Sequence, residues 1–230
     1  MRFNRETFYN AVRSSPFSGS LSQDQVNGMN AMLTTWEKFR SDGDLRYLAY
    51  MLATDFHETA YTMQPIEEYG KGSGRDYGKP DPETGQTYYG RGLVQLTWRE
   101  NYARADKELN TMFGYMVGME YDAAKALKLL VAVGVMFLGM EQGWFTSKKL
   151  SQYFNDEKND AKNARQIING NDKDTTIEGY HYKFLDALEL ATVEGGPSPV
   201  EGNLVVINLQ VQAPPGITVQ VHLDGDTPAA

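Results

Sequence analysis

Residues 44–102 read DLRYLAYMLATDFHETAYTMQPIEEYGKGSGRDYGKPDPETGQTYYGRGLVQLTWRENY, and the rest of the chain is organised around them. Leu45, Leu48, Ala49, Leu52 and Phe56 recur at helical spacing, so the first third of the stretch buries one face of a helix. Asp44 is the expected N-cap, with Asp42 as the alternative. The helix delivers Glu58 at its C-terminal end, where the macrodipole and any desolvation favour a protonated carboxyl, the form a general acid needs. Glu67 and Glu68 follow in a segment that also carries Lys71, Arg75 and Arg91. Positive neighbours keep a carboxylate ionised, as a general base requires. Two carboxyls in opposed environments are the pattern of glycosidic-bond hydrolysis.

The glycines and tyrosines of residues 60–92 suit a ligand-facing loop, with a turn at Asp81-Pro82-Glu83-Thr84-Gly85 and a hairpin expected over 76–90. A helical pattern returns over 93–109. Upstream, a short helix spans residues 4–14. Ser22 and Gln25 then form a capping box, and the helix it opens runs through Met29, Met32, Leu33, Trp36 and Phe39. Downstream, Asp122 is expected to cap a long apolar helix ending near Gln142, the central core helix. Shorter helices are expected over 147–154 and 160–168, and a last one over Ile177–Leu190. The fold class is therefore mainly α, a helical domain over residues 1–194. A linker over 195–203 (GGPSPV at its start) leads to a β-hairpin over 204–230, whose apolar residues alternate at Val205, Ile207, Leu209 and Val211, then at Ile217, Val219, Val221 and Leu223. A lone hairpin is marginal in water, so this one is expected to dock, by self-association or onto a larger assembly.

Composition narrows the function. The 230 residues are 41% hydrophobic and 23% charged, enough for a sizeable core. The net charge of −8 argues against nucleic acid as a partner. There is no cysteine, so thiol chemistry and disulfides are excluded. The N-terminal residues lack a continuous apolar core, and the most apolar run, Leu129–Met140, is too short to span a bilayer. The expectation is a protein cytoplasmic at synthesis, with no stable membrane insertion, acting on a wall after release. His57 belongs to HETAY rather than HExxH, so no metal site is expected, and His57 reads as a hydrogen-bonded structural residue. His181 and His222 read as packing or surface residues. Arg91, between two glycines, suits substrate contact or loop bracing. Trp36, Trp98 and Trp144 read as core residues rather than sugar platforms.

HET at 57–59, TMQPIEEYG at 62–70, YYGRGLVQLTWRENY at 88–102 and IING at 167–170 resemble the family 19 glycoside hydrolases, in particular the chitinase-like phage endolysins. The opening from Phe3 to Trp36 is similar to the phage members as well, and the resemblance spans roughly residues 3–190. It implies an α-rich, lysozyme-like core with a two-lobed cleft, and inverting cleavage of β-1,4 links next to N-acetylglucosamine, with no metal or cofactor. It implies Glu58 as general acid. Glu68, before Tyr-Gly, is the favoured base, with Glu67, favoured by loop length, as the alternative. Thr97 takes the place that steadies the attacking water. Gln95, Asn101 and, more weakly, Asn169 match sugar-contacting positions. Tyr89 belongs to the tyrosines whose flat faces and hydroxyls suit sugar rings. Peptidoglycan is the expected substrate, chitin the first rival, and a non-hydrolytic glycan-binding or virion protein the rival from another class.

Overall fold

The structure is a computed structural model that describes residues 1–193. The expected linker and C-terminal hairpin lie outside the described residues. Six α-helices carry the fold: α1 (Arg5–Ser14), α2 (Gln23–Phe39), α3 (Leu45–Glu58), α4 (Arg99–Phe113), α5 (Leu129–Gln142) and α6 (Asp174–Ala191). Six two-residue strands form three antiparallel ladders. β1 (Arg2–Phe3) pairs with β6 (Thr192–Val193), β2 (Ile66–Glu67) with β3 (Arg91–Gly92), and β4 (Phe154–Asn155) with β5 (Lys158–Asn159). No helix among the described residues is long and apolar enough to cross a membrane.

Local chemistry explains the helix ends. Asn4 caps α1 by accepting from the Thr7 N–H, and Ser22 and Gln25 close the capping box of α2 from both sides. Asp44 caps α3, accepting from the Arg46 N–H. α5 is apolar all round, and Val131 to Met140 are buried without interruption, so it is the core helix that α2, α3 and α4 pack against. The broadest helix contact is between α3 and α6, and α1 packs against α6 as well. Phe17, Phe56 and Phe184 meet edge to face there.

Several expected elements form differently. No hairpin occupies 76–90. Gly72 and Gly78 approach so closely that a Cβ on Gly78 would lie 2.1 Å from the Gly72 carbonyl oxygen, and the segment folds into turns instead. The ladder that does form joins 66–67 to 91–92. The helix expected from residue 93 begins only at Arg99, because Gly92, Gln95 and Trp98 all adopt positive φ (94°, 55° and 70°). Asp122 makes no side-chain cap. A short 3-10 turn, Ala123–Leu127, follows it, and extended backbone at Lys128 separates that turn from α5. In place of helices, residues 147–154 form the 3-10 turn Leu150–Gln152 and the start of β4, and residues 160–168 form the 3-10 turn Asn163–Ile167.

Candidate active site

Glu58 is the last residue of α3, and its neighbour Thr59 stops the helix. The buried Thr59 hydroxyl donates to the Asp55 carbonyl at 2.7 Å and accepts from the Met63 N–H at 3.0 Å. The chain then reverses through Ala60, Tyr61 and Met63, all at positive φ. This reversal is clamped against α2. The Tyr61 carbonyl accepts from Gln25 Nε2 at 2.9 Å, and the Met63 carbonyl lies where a Cβ on Gly28 would be, 1.9 Å away. The third letter of HET is thus a helix stop that fixes where Glu58 points.

The Glu58 carboxyl meets a partner that spacing alone does not reveal. Arg165, from the 3-10 turn before α6, donates through Nη1 to Glu58 Oε1 at 2.5 Å. The guanidinium is almost fully buried, with a side-chain exposure of 3% against 21% for Glu58. Its Nε donates to the Asp172 carbonyl at 2.8 Å, which fixes its plane. Glu58 Oε2 has no hydrogen bond among the described residues. Arg165 lies just before IING, yet 107 residues separate it from Glu58. The helix-end carboxyl read from the sequence is thus anchored by a buried guanidinium that the sequence reading did not place there.

The second carboxyl group of the site is built on the β2–β3 ladder, where Glu67 faces Arg91. Glu67 Oε1 accepts from the Tyr89 hydroxyl at 2.5 Å, and Oε2 lies 2.9 Å from Lys71 Nζ. Arg91 Nε is 3.9 Å from Oε1. The Tyr89 hydrogen bond and then the Lys71 ammonium hold Glu67 below the usual carboxylate range. Glu68 is held differently. Its N–H donates to the Gly90 carbonyl (2.7 Å), its Oε1 accepts from the Tyr77 hydroxyl (2.9 Å), and its Oε2 accepts from the Gly90 N–H (2.9 Å). Arg91 is a buried brace: Nη1 donates to the Thr87 carbonyl at 2.8 Å, and the guanidinium lies 3.5 Å from the centre of the Tyr89 ring. Of the basic residues near the pair in sequence, Lys71 and Arg91 flank Glu67, whereas Arg75 makes no ion pair among the described residues.

A tight return from β3 carries Thr97. Arg91 and Leu96 exchange both backbone hydrogen bonds across it. Gln95 Nε2 donates to the Ile66 and Gly92 carbonyls (3.2 and 3.1 Å), tying the return to β2. Asn101 Nδ2 donates to the Thr97 carbonyl at 2.9 Å, so the Thr97 backbone is fixed while its half-buried hydroxyl makes no hydrogen bond among the described residues. Asn169 is exposed, and its N–H donates to the Arg165 carbonyl at 3.0 Å. The ladder therefore gathers Glu67, Glu68, Tyr89 and Gln95, and Thr97 follows on the same return. Glu58, Arg165 and Asn169 form a second group, and no hydrogen bond or ion pair among the described residues joins the two.

Two of the aromatic and histidine expectations, those for His57 and Trp98, need correction, whereas His181 is a packing residue as read. The His57 ring is half-buried but makes no hydrogen bond among the described residues, and burial, ahead of nearby charges, keeps it below the usual histidine value. His181 is fully buried, stacked on Phe154, with neither ring nitrogen partnered; His222 lies outside the described residues. Trp36 and Trp144 are core residues as expected, but Trp98 is 46% exposed. No group of histidine, aspartate and glutamate among the described residues has the grouping to hold a metal ion.

No family model matches the chain, and no curated protein sequence matches it. Solved structures do. Chitinase C from Streptomyces griseus HUT6037 superposes with a TM-score of 0.50 at 19% identity, over 85% of this chain and 79% of that one. A family GH19 class IV chitinase from Zea mays gives a TM-score of 0.50 at 19% identity, over 83% and 94% of the two chains. A mutant form of a chitinase C gives 0.50 at 18%, over 85% and 95%. Fold and comparison together define the class: this chain has the helical, lysozyme-like fold of the family 19 chitinases.

Proposed function

We propose that the protein is an inverting glycoside hydrolase that cuts β-1,4 links next to N-acetylglucosamine, with Glu58 as general acid and Glu67 as general base. The observation that carries this reading is the environment of Glu67. Tyr89 and Lys71 hold it as a carboxylate on a loop facing away from the core, in a fold that known chitinases share. A base must offer an oxygen to water. Both Glu68 oxygens are engaged by the loop's own Tyr77 and Gly90, so Glu68 acts as the brace. On Glu67, the Oε2 partner Lys71 has a side chain 62% exposed, and such an ion pair gives way readily to a substrate or water. The geometry thus favours the alternative base over the residue that the motif favours.

Water held by the Thr97 hydroxyl, which can donate and accept at once, attacks the anomeric carbon. Glu67 takes its proton. Glu58 gives a proton from Oε2 to the leaving oxygen on the opposite face of the ring, while Arg165 keeps Oε1 in place and stabilises the carboxylate left behind. Inverting pairs need room for that water, about 6.5–9.5 Å between carboxyls, and a loop-borne base across from a helix-borne acid suits this. Peptidoglycan is the proposed substrate, supported by the endolysin-type motifs at 62–70 and 88–102. Chitin is the second reading, favoured by the chitinases among the structural neighbours.

The test is turbidity loss of purified, outer-membrane-stripped cell walls beside colloidal chitin, for the wild type and for Glu58→Gln, Glu67→Gln and Glu68→Gln. Wall clearance should fall by at least about a hundredfold in the first two and survive in part in Glu68→Gln. Loss in Glu68→Gln alone among the loop variants would return the base to Glu68. Activity on chitin only would replace the substrate, and inactivity on both with retained wall binding would overturn hydrolysis.

A further inference from the structure

Trp98 is placed where a protein concerned only with stability would not put a tryptophan. It is the N-cap of α4, a position that favours Ser, Thr, Asp or Asn, and its side chain makes no cap hydrogen bond. Its φ of 70° lies in the left-handed region that a bulky side chain avoids. The residue is 46% exposed, and its indole N–H has no hydrogen-bond partner among the described residues. The backbone is nonetheless fixed: the Trp98 N–H donates to the Tyr88 carbonyl at 2.9 Å, and the Trp98 carbonyl accepts from the N–H groups of Asn101 and Tyr102, each at 3.1 Å. A rigid support thus presents an exposed indole.

What the indole borders is a depression of about 330 Å³. Tyr77 meets Trp98 edge-on, ring centres 5.3 Å apart, and Pro80, Pro82 and Tyr88 add further apolar surface. The charged rim is acidic, and both of its cations are committed. Lys79 pairs with Asp76 at 2.7 Å, Arg99 is shared by Glu83 (2.6 Å), Glu120 (3.0 Å) and Asp81 (3.3 Å), and Glu100 makes no ion pair among the described residues. An anion has no uncommitted cation here to recognise it. A flat aromatic face, a free N–H donor and an acidic rim without a free cation fit an uncharged pyranose, which offers an apolar ring face, hydroxyl donors and acetamido or hydroxyl acceptors. The corner is also wired to the site, because the Tyr77 hydroxyl is the donor to Glu68.

We infer that the Trp98–Tyr77 depression is a sugar-binding platform for an uncharged N-acetylhexosamine unit of the glycan, away from the scissile bond. The inference rests on the glycan-hydrolase reading above, and it makes Trp98 a binding residue with no part in proton transfer.

The test uses the full chain carrying Glu58→Gln, so that a hexamer of β-1,4-linked N-acetylglucosamine is held rather than cut. The indole N–H signals of Trp36, Trp98 and Trp144 are followed by NMR during titration. The Trp98 signal is identified by its loss in Trp98→Phe, and the buried Trp36 and Trp144 serve as internal references. The Trp98 signal should move saturably. By calorimetry, Trp98→Ala should raise the hexamer Kd about tenfold and Trp98→Phe about threefold. A hexamer that binds without moving the Trp98 signal, or with an unchanged Kd in Trp98→Ala, overturns the platform. A signal that moves with protein concentration and not with sugar assigns the face to self-association and also overturns it. Should Trp98→Ala not fold, Trp98→Phe and the titration decide. Wild-type inactivity on walls, chitin and hexamer would sink the hydrolase reading separately, whatever the indole reports.

Discussion

The Tyr89 hydrogen bond, ahead of Lys71, does most to hold Glu67 below the usual carboxylate range, and this makes the proposed base testable one atom at a time. The phenol stabilises the carboxylate, so its removal lets the Glu67 pKa rise toward the ordinary value. Activity that needs a deprotonated base is lost as pH falls through that pKa. In Tyr89→Phe the acid limb of kcat/KM should therefore move to higher pH, while the ring keeps its contact with Arg91 and the fold stays intact. A pH–rate profile of wild type and variant checks this; an unmoved limb would mean that Glu67 is not the titrating base. The residues needed for this argument were mostly legible as residue types: Glu58, Glu67, Tyr89 and Thr97 all stand in recognisable motifs. The arrangement behind the proposal of Glu67 over Glu68 was not legible. It depends on a strand register, Glu67 opposite Arg91, and on which neighbour's oxygens the Gly90 N–H and the Tyr77 hydroxyl occupy. Arg165 was hidden for a related reason, since only the fold brings its buried guanidinium to Glu58.

At the scale of elements, the helices whose signals are local came out as read. The caps at Ser22 and Asp44 and the unbroken apolar run of α5 each act within a few residues, so sequence carries them. The elements that shifted are those set by backbone geometry. Positive φ at Gln95 and Trp98 delays α4, and the approach of Gly72 to Gly78 replaces a hairpin by turns. Glycine spacing announces a loop but not which glycine touches what. Gly28 is the sharpest case, a helix-interior glycine whose missing side chain admits the Met63 carbonyl. Because that contact clamps the reversal between Glu58 and Glu67, Gly28→Ala must push either α2 or the loop aside. Overpacking of this kind costs about 1–3 kcal/mol. The expected outcome is a lower midpoint in urea and a larger fractional loss of wall clearance than of folded protein at 25 °C. Equal losses would show that the clamp serves stability alone.

For the molecule as a whole, two buried titrating groups set opposite demands on pH. Asp55 lies fully buried in α3 with neither carboxyl oxygen hydrogen-bonded, and desolvation pushes its pKa up to about 8 from an ordinary 3.8. Between these values the folded chain holds a proton that the unfolded chain has lost, so stability falls as pH rises. His181, buried between α3 and α6 beside Tyr50 and Phe154, is pushed down to about 4 from 6.5, again chiefly by desolvation. From 4 to 6.5 the unfolded chain holds the extra proton, so this group makes stability rise with pH. The two slopes oppose each other from about 4 to 6.5 and leave stability nearly flat there. Above 6.5 Asp55 dominates, and by pH 8 about 1 kcal/mol should be lost. Asp55→Asn, which keeps the shape and cannot ionise, should abolish the decline above 6.5 and uncover the His181 slope below it. Urea unfolding of both proteins at half-unit steps from pH 4.5 to 8.5 reads this directly. A wild-type curve that stays flat through pH 8, or a decline that persists in Asp55→Asn, would mean that Asp55 is not the group that titrates.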